Sequence, residues 1–341
     1  MEHNSEKALT LSRRRLLAAA GAAGITAAAG ALPGIAQAAA PAGKAKIAVL
    51  PAVDALILYA AESDGLFKAE GIDCEIVPFK SALELNAAMR AGRIAGHYSN
   101  ILTTIAQRAN GIDSAIAVTT WHTSPDYRAF GFAVSPAKAA ELTSLDVVRA
   151  RRGVQTSTSS GTITDWVLHR MVETAPVPPE CLKSVEVAQI PIRLQMLNAG
   201  RLDTALFYEP LLTLIESKGG RTIWDDRGLN EPLSMVALRG PYLTDDFVGA
   251  FRRALAAAAK RIDADQQKYL PLAVKKGLIP QAIVKDYRLQ KFSGFATRDG
   301  LPPLPTDEHV RAAGEWLVAN GLVKKLPDLG PVVYRSAANA D

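Results

Sequence analysis

Ser157-Thr158-Ser159-Ser160-Gly161-Thr162 places five hydroxyl side chains in six positions, just ahead of a segment patterned as a helix over 162–173. The first N–H groups of a helix lack intrahelical acceptors and carry partial positive charge. A hydroxyl-rich turn there suits an anion. Plain N-capping would need only one of the hydroxyls. Lys80 could add a positive charge, or be solvated. Ser99 and Asn100 could hydrogen-bond a solute or cap the next helix. Trp121 could stack on a planar or apolar guest, or serve as core. His122 beside it could meet a carboxylate or titrate, although a lone histidine is more often structural or simply exposed. Glu209 conflicts with an anion pocket: either it caps the following helix, or the solute carries a cationic or N–H group. Arg128 and Arg193 are possible counter-charges, with solvated faces the plainer reading for both.

Catalytic signatures are missing. The chain has no Gly-x-Ser-x-Gly, no His-Glu-x-x-His, no Gly-Lys-Ser/Thr phosphate loop and no Gly-x-Gly-x-x-Gly. No His, Cys and carboxylate cluster has metal-ligand spacing. The expectation is a binder and not an enzyme, with no cofactor and no metal.

The elements that would position these residues alternate. Strands are predicted over 45–50, 72–77, 94–98 and 115–119, with helices between them. Asp54 is expected to cap the first helix, and Ser81 with Glu84 to form a capping box on the second. A strand over 130–134 leaves this group, and 136–152 reads as a polar helical passage. A second group follows, with strands over 153–156, 185–189 and 202–207 and a return crossing over 233–238. Helices over 247–263 and 310–319 complete the chain. Ala91-Gly92-Arg93-Ile94 recurs 108 positions later as Ala199-Gly200-Arg201-Leu202, each between a helix and a strand. The alternation argues for sheets covered on both faces, and the repeat for two α/β lobes facing across a cleft. Lobe I is assigned 44–132 plus 238–341 and lobe II 133–237, joined by a two-strand hinge. Ligands of open α/β sheets lie beyond the carboxyl ends of the strands. That rule selects Val53 and Asp54, Lys80 and Ser81, Ser99 and Asn100, and Thr120, Trp121 and His122 in lobe I. In lobe II it selects Ser157, Thr158, Ser159, Ser160, Gly161 and Thr162, then Pro191, Tyr208 and Glu209.

Bulk properties bound the partners. The length of 341 residues suits two domains on a prior of about 150 residues each. Net charge is +5, and the first 38 residues carry four basic and two acidic side chains, leaving +3 for the rest. That balance gives no case for nucleic acid. Arg13, Arg14 and Arg15 open an Ala/Gly-rich apolar stretch ending in Ala36-Gln37-Ala38. Residues 1–38 thus read as a twin-arginine-type signal peptide cut after Ala38. Gly21, Gly24, Gly30, Pro33 and Gly34 make the stretch a poor membrane anchor. The processed chain is expected to be periplasmic, monomeric and not inserted in a membrane. Cys74 and Cys181 fall in different lobes and are expected as separate buried thiols.

The strand over 45–50, then Tyr59-x5-Gly65-Leu66-Phe67-x3-Gly71-Ile72, Phe79-Lys80-Ser81 and Ala91-Gly92-x-Ile94, resembles the solute-binding proteins of nitrate, sulfonate and taurine ABC importers. Pyrimidine-precursor binding proteins share that family. Glu209-Pro210 also matches its usual pattern, and the resemblance covers roughly 44–260. One departure is Ala95, where the family often has an acid; the second copy carries it as Asp203. The resemblance implies a type II-like periplasmic-binding-protein fold, two mainly parallel sheets flanked by helices, that closes around a small solute. It implies an ABC permease and its ATPase subunit as partners. A solute-sensing role for a membrane receptor is the alternative. A eukaryotic relative makes a pyrimidine from its own histidine and pyridoxal phosphate, but carries a cysteine-rich motif absent here. Candidate solutes are a sulfonate or other small oxyanion, a carboxylate-bearing zwitterion, or a flat heterocycle.

Overall fold

Apolar β-branched runs and glycine-closed helices alternate through a computed structural model that describes residues 43–80 and 82–336. The first group is β1 (Ala45–Val49), α1 (Leu56–Ser63), α2 (Leu66–Ala69), β2 (Cys74–Pro78), α3 (Ala82–Arg90), β3 (Gly96–Ser99), α4 (Ile101–Ala109) and β4 (Ser114–His122). The second is β5 (Phe130–Val134), α5 (Leu145–Arg149), β6 (Val154–Thr158), α6 (Ile163–Thr174), β7 (Leu182–Glu186), α7 (Ile190–Asn198), β8 (Thr204–Tyr208), α8 (Leu211–Ser217) and β9 (Arg221–Asp225). The chain then returns through β10 (Pro232–Arg239), α9 (Asp245–Ala264), α10 (Gln266–Lys275) and α11 (Asp307–Ala319).

Two five-stranded sheets result, ordered β2-β1-β3-β10-β4 and β7-β6-β8-β5-β9. In each, the fourth strand in spatial order runs antiparallel to its neighbours, so four strands are parallel and one returns against them. The antiparallel strand of each sheet is the one supplied by a crossing. The sequence repeat is structural. Gly92 and Gly200 both take φ of 69°. Arg93 N–H reaches Ala88 C=O at 3.0 Å and Arg201 N–H reaches Met196 C=O at 2.9 Å. Both are six-to-one bonds that close a helix through a left-handed glycine.

Expected boundaries at 132/133 and 237/238 fall inside β5 and β10; the change of sheet comes earlier, at 123–129 and again at 226–231. These two crossings are tied together. Thr123 N–H donates to Glu231 C=O at 2.9 Å, and Glu231 N–H returns a bond to the Thr123 hydroxyl at 2.9 Å. Asp226 Oδ1 accepts the Ala129 and Phe130 amides at 2.8 and 3.1 Å.

Other expectations shift. Asp54 caps nothing: a 3-10 turn, Val53–Ala55, precedes α1, and its carboxylate turns inward. The strand expected over 185–189 is Leu182–Glu186, because Pro191 presets the first turn of α7. Only Leu145–Arg149 of the 136–152 passage is helical. Strand β9 and helix α10 were not anticipated. Cys74 and Cys181 are both buried and free. Residues 1–38, with the signal and its cleavage position, lie outside the described residues, as does Ser81. No helix among the described residues is long and apolar enough to cross a membrane.

Candidate functional site

The carboxyl ends of β1, β3 and β4 meet the start of β10 at one edge of the first sheet. Asp54 lies there with no solvent exposure. The Tyr98 hydroxyl donates to its Oδ1 at 3.1 Å and the Thr120 hydroxyl to its Oδ2 at 3.1 Å. Tyr98 shares a further 2.7 Å hydrogen bond with the Ser234 hydroxyl. Ser234, Tyr98 and Asp54 thus form a chain of hydroxyls ending on a carboxyl group. Burial pushes the Asp54 pKa up to about 6, while bonds from Thr120, Tyr98 and Ser234 hold it down.

The second sheet supplies the opposing charge. Arg193, in the first turns of α7, is 0% exposed, and its guanidinium lies over the Phe207 ring at 5.2 Å. Its Nε and Nη1 have no hydrogen-bond partner among the described residues. Burial lowers its pKa, opposed by the nearby Tyr208 and Glu186. Burial also pushes Tyr208 up to about 12; there Arg193 pulls it down and Asp54 pushes it up. Tyr98 is raised too, first by burial, with Asp54 and Tyr208 adding to it. Side chains from both sheets therefore share one electrostatic environment. Leaving a buried charge unpaired is costly, several kcal/mol by general experience. The Ser157 hydroxyl, one residue before the end of β6, is also buried and without a partner among the described residues.

The hydroxyl-rich turn is occupied from within. Ser160 N–H donates to Glu186 at 3.0 Å and Gly161 N–H to Asp165 at 3.0 Å. Thr162 donates its hydroxyl to Ser159 C=O at 2.6 Å, and Ser159 its own to Ala188 C=O at 3.2 Å. Thr158 is buried at the β6 end. The Glu209 conflict resolves toward the helix: its carboxylate takes Thr213 N–H at 3.2 Å and Arg128 Nε at 2.6 Å. Arg128 also pairs with Glu216, so it is a bridge and not a solvated face. Asn100 caps α4 through Thr103 N–H at 3.0 Å, and Ser99 bonds Asn100 C=O and Thr104. Trp121 packs in the core, 5.9 Å from Tyr127. His122 bonds Thr123 C=O at the hinge, and burial lowers its pKa. Lys80 and Pro191 are exposed, and Val53 is fully buried. Reading from sequence missed Tyr98 and Ser234, placed Thr120 only as part of a strand end, and set Arg193 aside. The available signal was local: Arg193 falls among Ile190, Ile192 and Leu194, so helix α7 has no clean polar face.

The architecture is the two-lobed, type II-like periplasmic-binding-protein fold. Similar structures include the alkanesulfonate-binding protein SsuA from Xanthomonas axonopodis pv. citri bound to MOPS, with 18% identity, 88% of this chain and 100% of that chain covered, and a TM-score of 0.68. The periplasmic nitrate-binding protein NrtA from Synechocystis PCC 6803 matches with 13% identity, 82% and 80% coverage and a TM-score of 0.57. DszB, solved as a cysteine-to-serine mutant with biphenyl-2-sulfinic acid, matches with 14% identity, 87% and 97% coverage and a TM-score of 0.60. No curated protein matches in sequence. The chain belongs to the NMT1-like family, whose sequence model matches residues 38–273.

Proposed function

We propose that this protein is the solute-binding component of an ABC importer, taking a small oxyanion between its two lobes and handing it to a permease with its ATPase subunit. The observation that carries the reading is Arg193, a fully buried guanidinium with unused donors on Nε and Nη1, near a Tyr208 whose hydroxyl also feels the Asp54 carboxyl. A cation held dry at such a cost is explained by a guest that neutralises it. The named ligands of the structural neighbours, a sulfonate, nitrate and a sulfinic acid, support an oxyanion. Lobe closure over residues 123–129 and 226–231 is part of the proposal, as are a monomeric state, periplasmic location and twin-arginine export with cleavage after Ala38. The protein works by enclosure and carries out no catalysis in this reading.

Micromolar binding requires roughly 8 kcal/mol, and a hydrogen bond to a charged group nets about 1.5–3 kcal/mol. Arg193 therefore contributes a large part and both lobes the remainder. Calorimetric titration with taurine, MOPS and nitrate tests the reading. Binding of at least one is expected, weakened tenfold or more by Arg193→Gln. An Arg193→Gln protein that binds every probe as the parent does would end the proposal.

A further inference from the structure

Helix α6 carries Trp166, His169 and Arg170 at spacings of three and four, so the three share one face. The Trp166 and His169 rings lie 5.5 Å apart, and the Arg170 guanidinium sits over Trp166 at 5.8 Å. A distant part of the chain meets this face. Trp316 of α11 is buried edge-on against Trp166, with ring centroids 5.6 Å apart at 77°, and lies 6.0 Å from His169. Leu322, just beyond α11, reaches the start of α6: a Cβ on Gly161 would lie 3.1 Å from its Cδ2. Yet α11 belongs with the first sheet. It packs beside α4, and the chain after it bridges Val333 to Ile116 of β4. Tyr334 N–H donates to Ile116 C=O at 2.9 Å, and the Tyr334 hydroxyl to Asp245 at the start of α9 at 2.6 Å. Helix α6 connects β6 to β7 in the second sheet. An aromatic contact therefore joins the two halves away from the strands that link them.

Both helices are pinned at the second crossing, one residue apart. Glu231, buried there, accepts Arg170 Nε at 2.6 Å and Trp166 Nε1 at 3.4 Å. Asn230 C=O accepts His309 Nε2 at 3.1 Å, while His309 Nδ1 accepts Thr306 N–H in the capping box that opens α11. The first crossing is held too: the Tyr287 hydroxyl, in the segment ahead of α11, lies 2.5 Å from that of Tyr127. Trp316 stands two turns beyond His309, about 10 Å along α11. Rotation of one lobe on the other about residues 230 and 231 therefore moves Trp316 across the Trp166 and His169 rings. Resting on the reading of this protein as a binder that closes around its guest, we propose that α11 is a clasp: Trp316, packed on Trp166 and His169, holds the lobes in the closed arrangement and so sets affinity from outside the cleft. None of these three residues belongs to the Arg193 or Asp54 clusters. A protein that only partly populates its binding-competent form loses affinity in proportion, whichever guest it takes. The clasp acts on all guests alike.

Trp316→Ala tests the clasp. The full chain is titrated calorimetrically with taurine, MOPS and nitrate, and small-angle scattering records its solute-free radius of gyration. Trp316→Ala is expected to weaken every probe that binds by one common factor, about two- to tenfold for a lost aromatic pair, and to expand the solute-free protein. Trp316→Phe keeps a ring edge against Trp166 and recovers most of the affinity. His169→Ala removes the outer ring, gives a smaller common loss, and decides the matter if Trp316→Ala does not fold. Parental affinity for every probe in the folded variants would overturn the proposal. So would a loss that differs more than threefold between probes, because Trp316 would then act at the guest and not on closure. If no probe binds the parent, the oxyanion reading falls and scattering alone judges the clasp: expansion of Trp316→Ala upholds it, and coincident profiles end it.

Discussion

At the scale of single residues, Arg193 sets stability against function. A guanidinium buried over Phe207 without hydrogen bonds on Nε and Nη1 destabilises the solute-free protein. Arg193→Met keeps the unbranched, apolar stem and removes the charge. The expected outcome is a higher melting temperature, by about 2–4 °C for each kcal/mol regained, together with loss of oxyanion binding. Differential scanning calorimetry beside the titration checks both halves; a lower melting temperature would mean that the arginine stabilises the empty fold. Glu209 shows the opposite economy. It is nearly as buried, yet Arg128, Thr213 and the start of α8 satisfy it completely. The same chain thus buries one charge with partners and one whose Nε and Nη1 have none, and the proposed guest is argued from the second alone.

At the scale of elements, the repeated Ala-Gly-Arg phrase was readable because it encodes backbone geometry. A helix, a left-handed glycine and a strand follow from local residue preferences, and both copies close with the same hydrogen bonds. The two glycines are not equivalent in their surroundings. A Cβ on Gly92 would meet the flexible Arg239 guanidinium at 2.8 Å, whereas one on Gly200 would meet the Ala137 Cβ at 2.9 Å. Each alanine substitution costs about 1–3 kcal/mol for the positive φ, and Gly200→Ala is expected to cost more because Ala137 has no rotamer to yield. Urea denaturation of the two variants checks the order. What the sequence left hidden was set by tertiary contacts. Residues 221–225 carry no strong alternation, and they form β9 because β5 offers its free edge. Ser157 to Thr162 has the composition of an anion nest, but its fate depends on Glu186 of a neighbouring strand and on Asp165 of its own helix. Arg193 read as a surface residue because the one local sign, its apolar neighbours Ile190, Ile192 and Leu194, does not say which position α7 turns inward.

At the scale of the molecule, the strand order is the same in both sheets, and in each the strand that breaks the parallel run comes from the crossing chain. The two crossings therefore join the sheets through buried groups, and their chemistry bears on global stability. Asp226 lies in the second crossing, where burial pushes its pKa up to about 7 against the opposing bonds from the Phe130 and Ala129 amides, with Asp225 raising it further. Its Oδ2 has no partner among the described residues. In the unfolded chain the same carboxyl titrates near 3.9. Between those values the folded protein holds a proton that the unfolded chain has released, so stability falls as pH rises through that window. Asp54, raised to about 6, acts in the same direction. Above pH 7 both burial costs are fully present. Asp226→Asn keeps an oxygen for the two amides and carries no charge at any pH. It is expected to melt higher than the parent at pH 8, to approach it at pH 5, and to flatten the melting-temperature profile between them. Scanning calorimetry across that range decides the matter: parallel profiles for the two proteins would show that Asp226 does not hold its proton in the folded hinge.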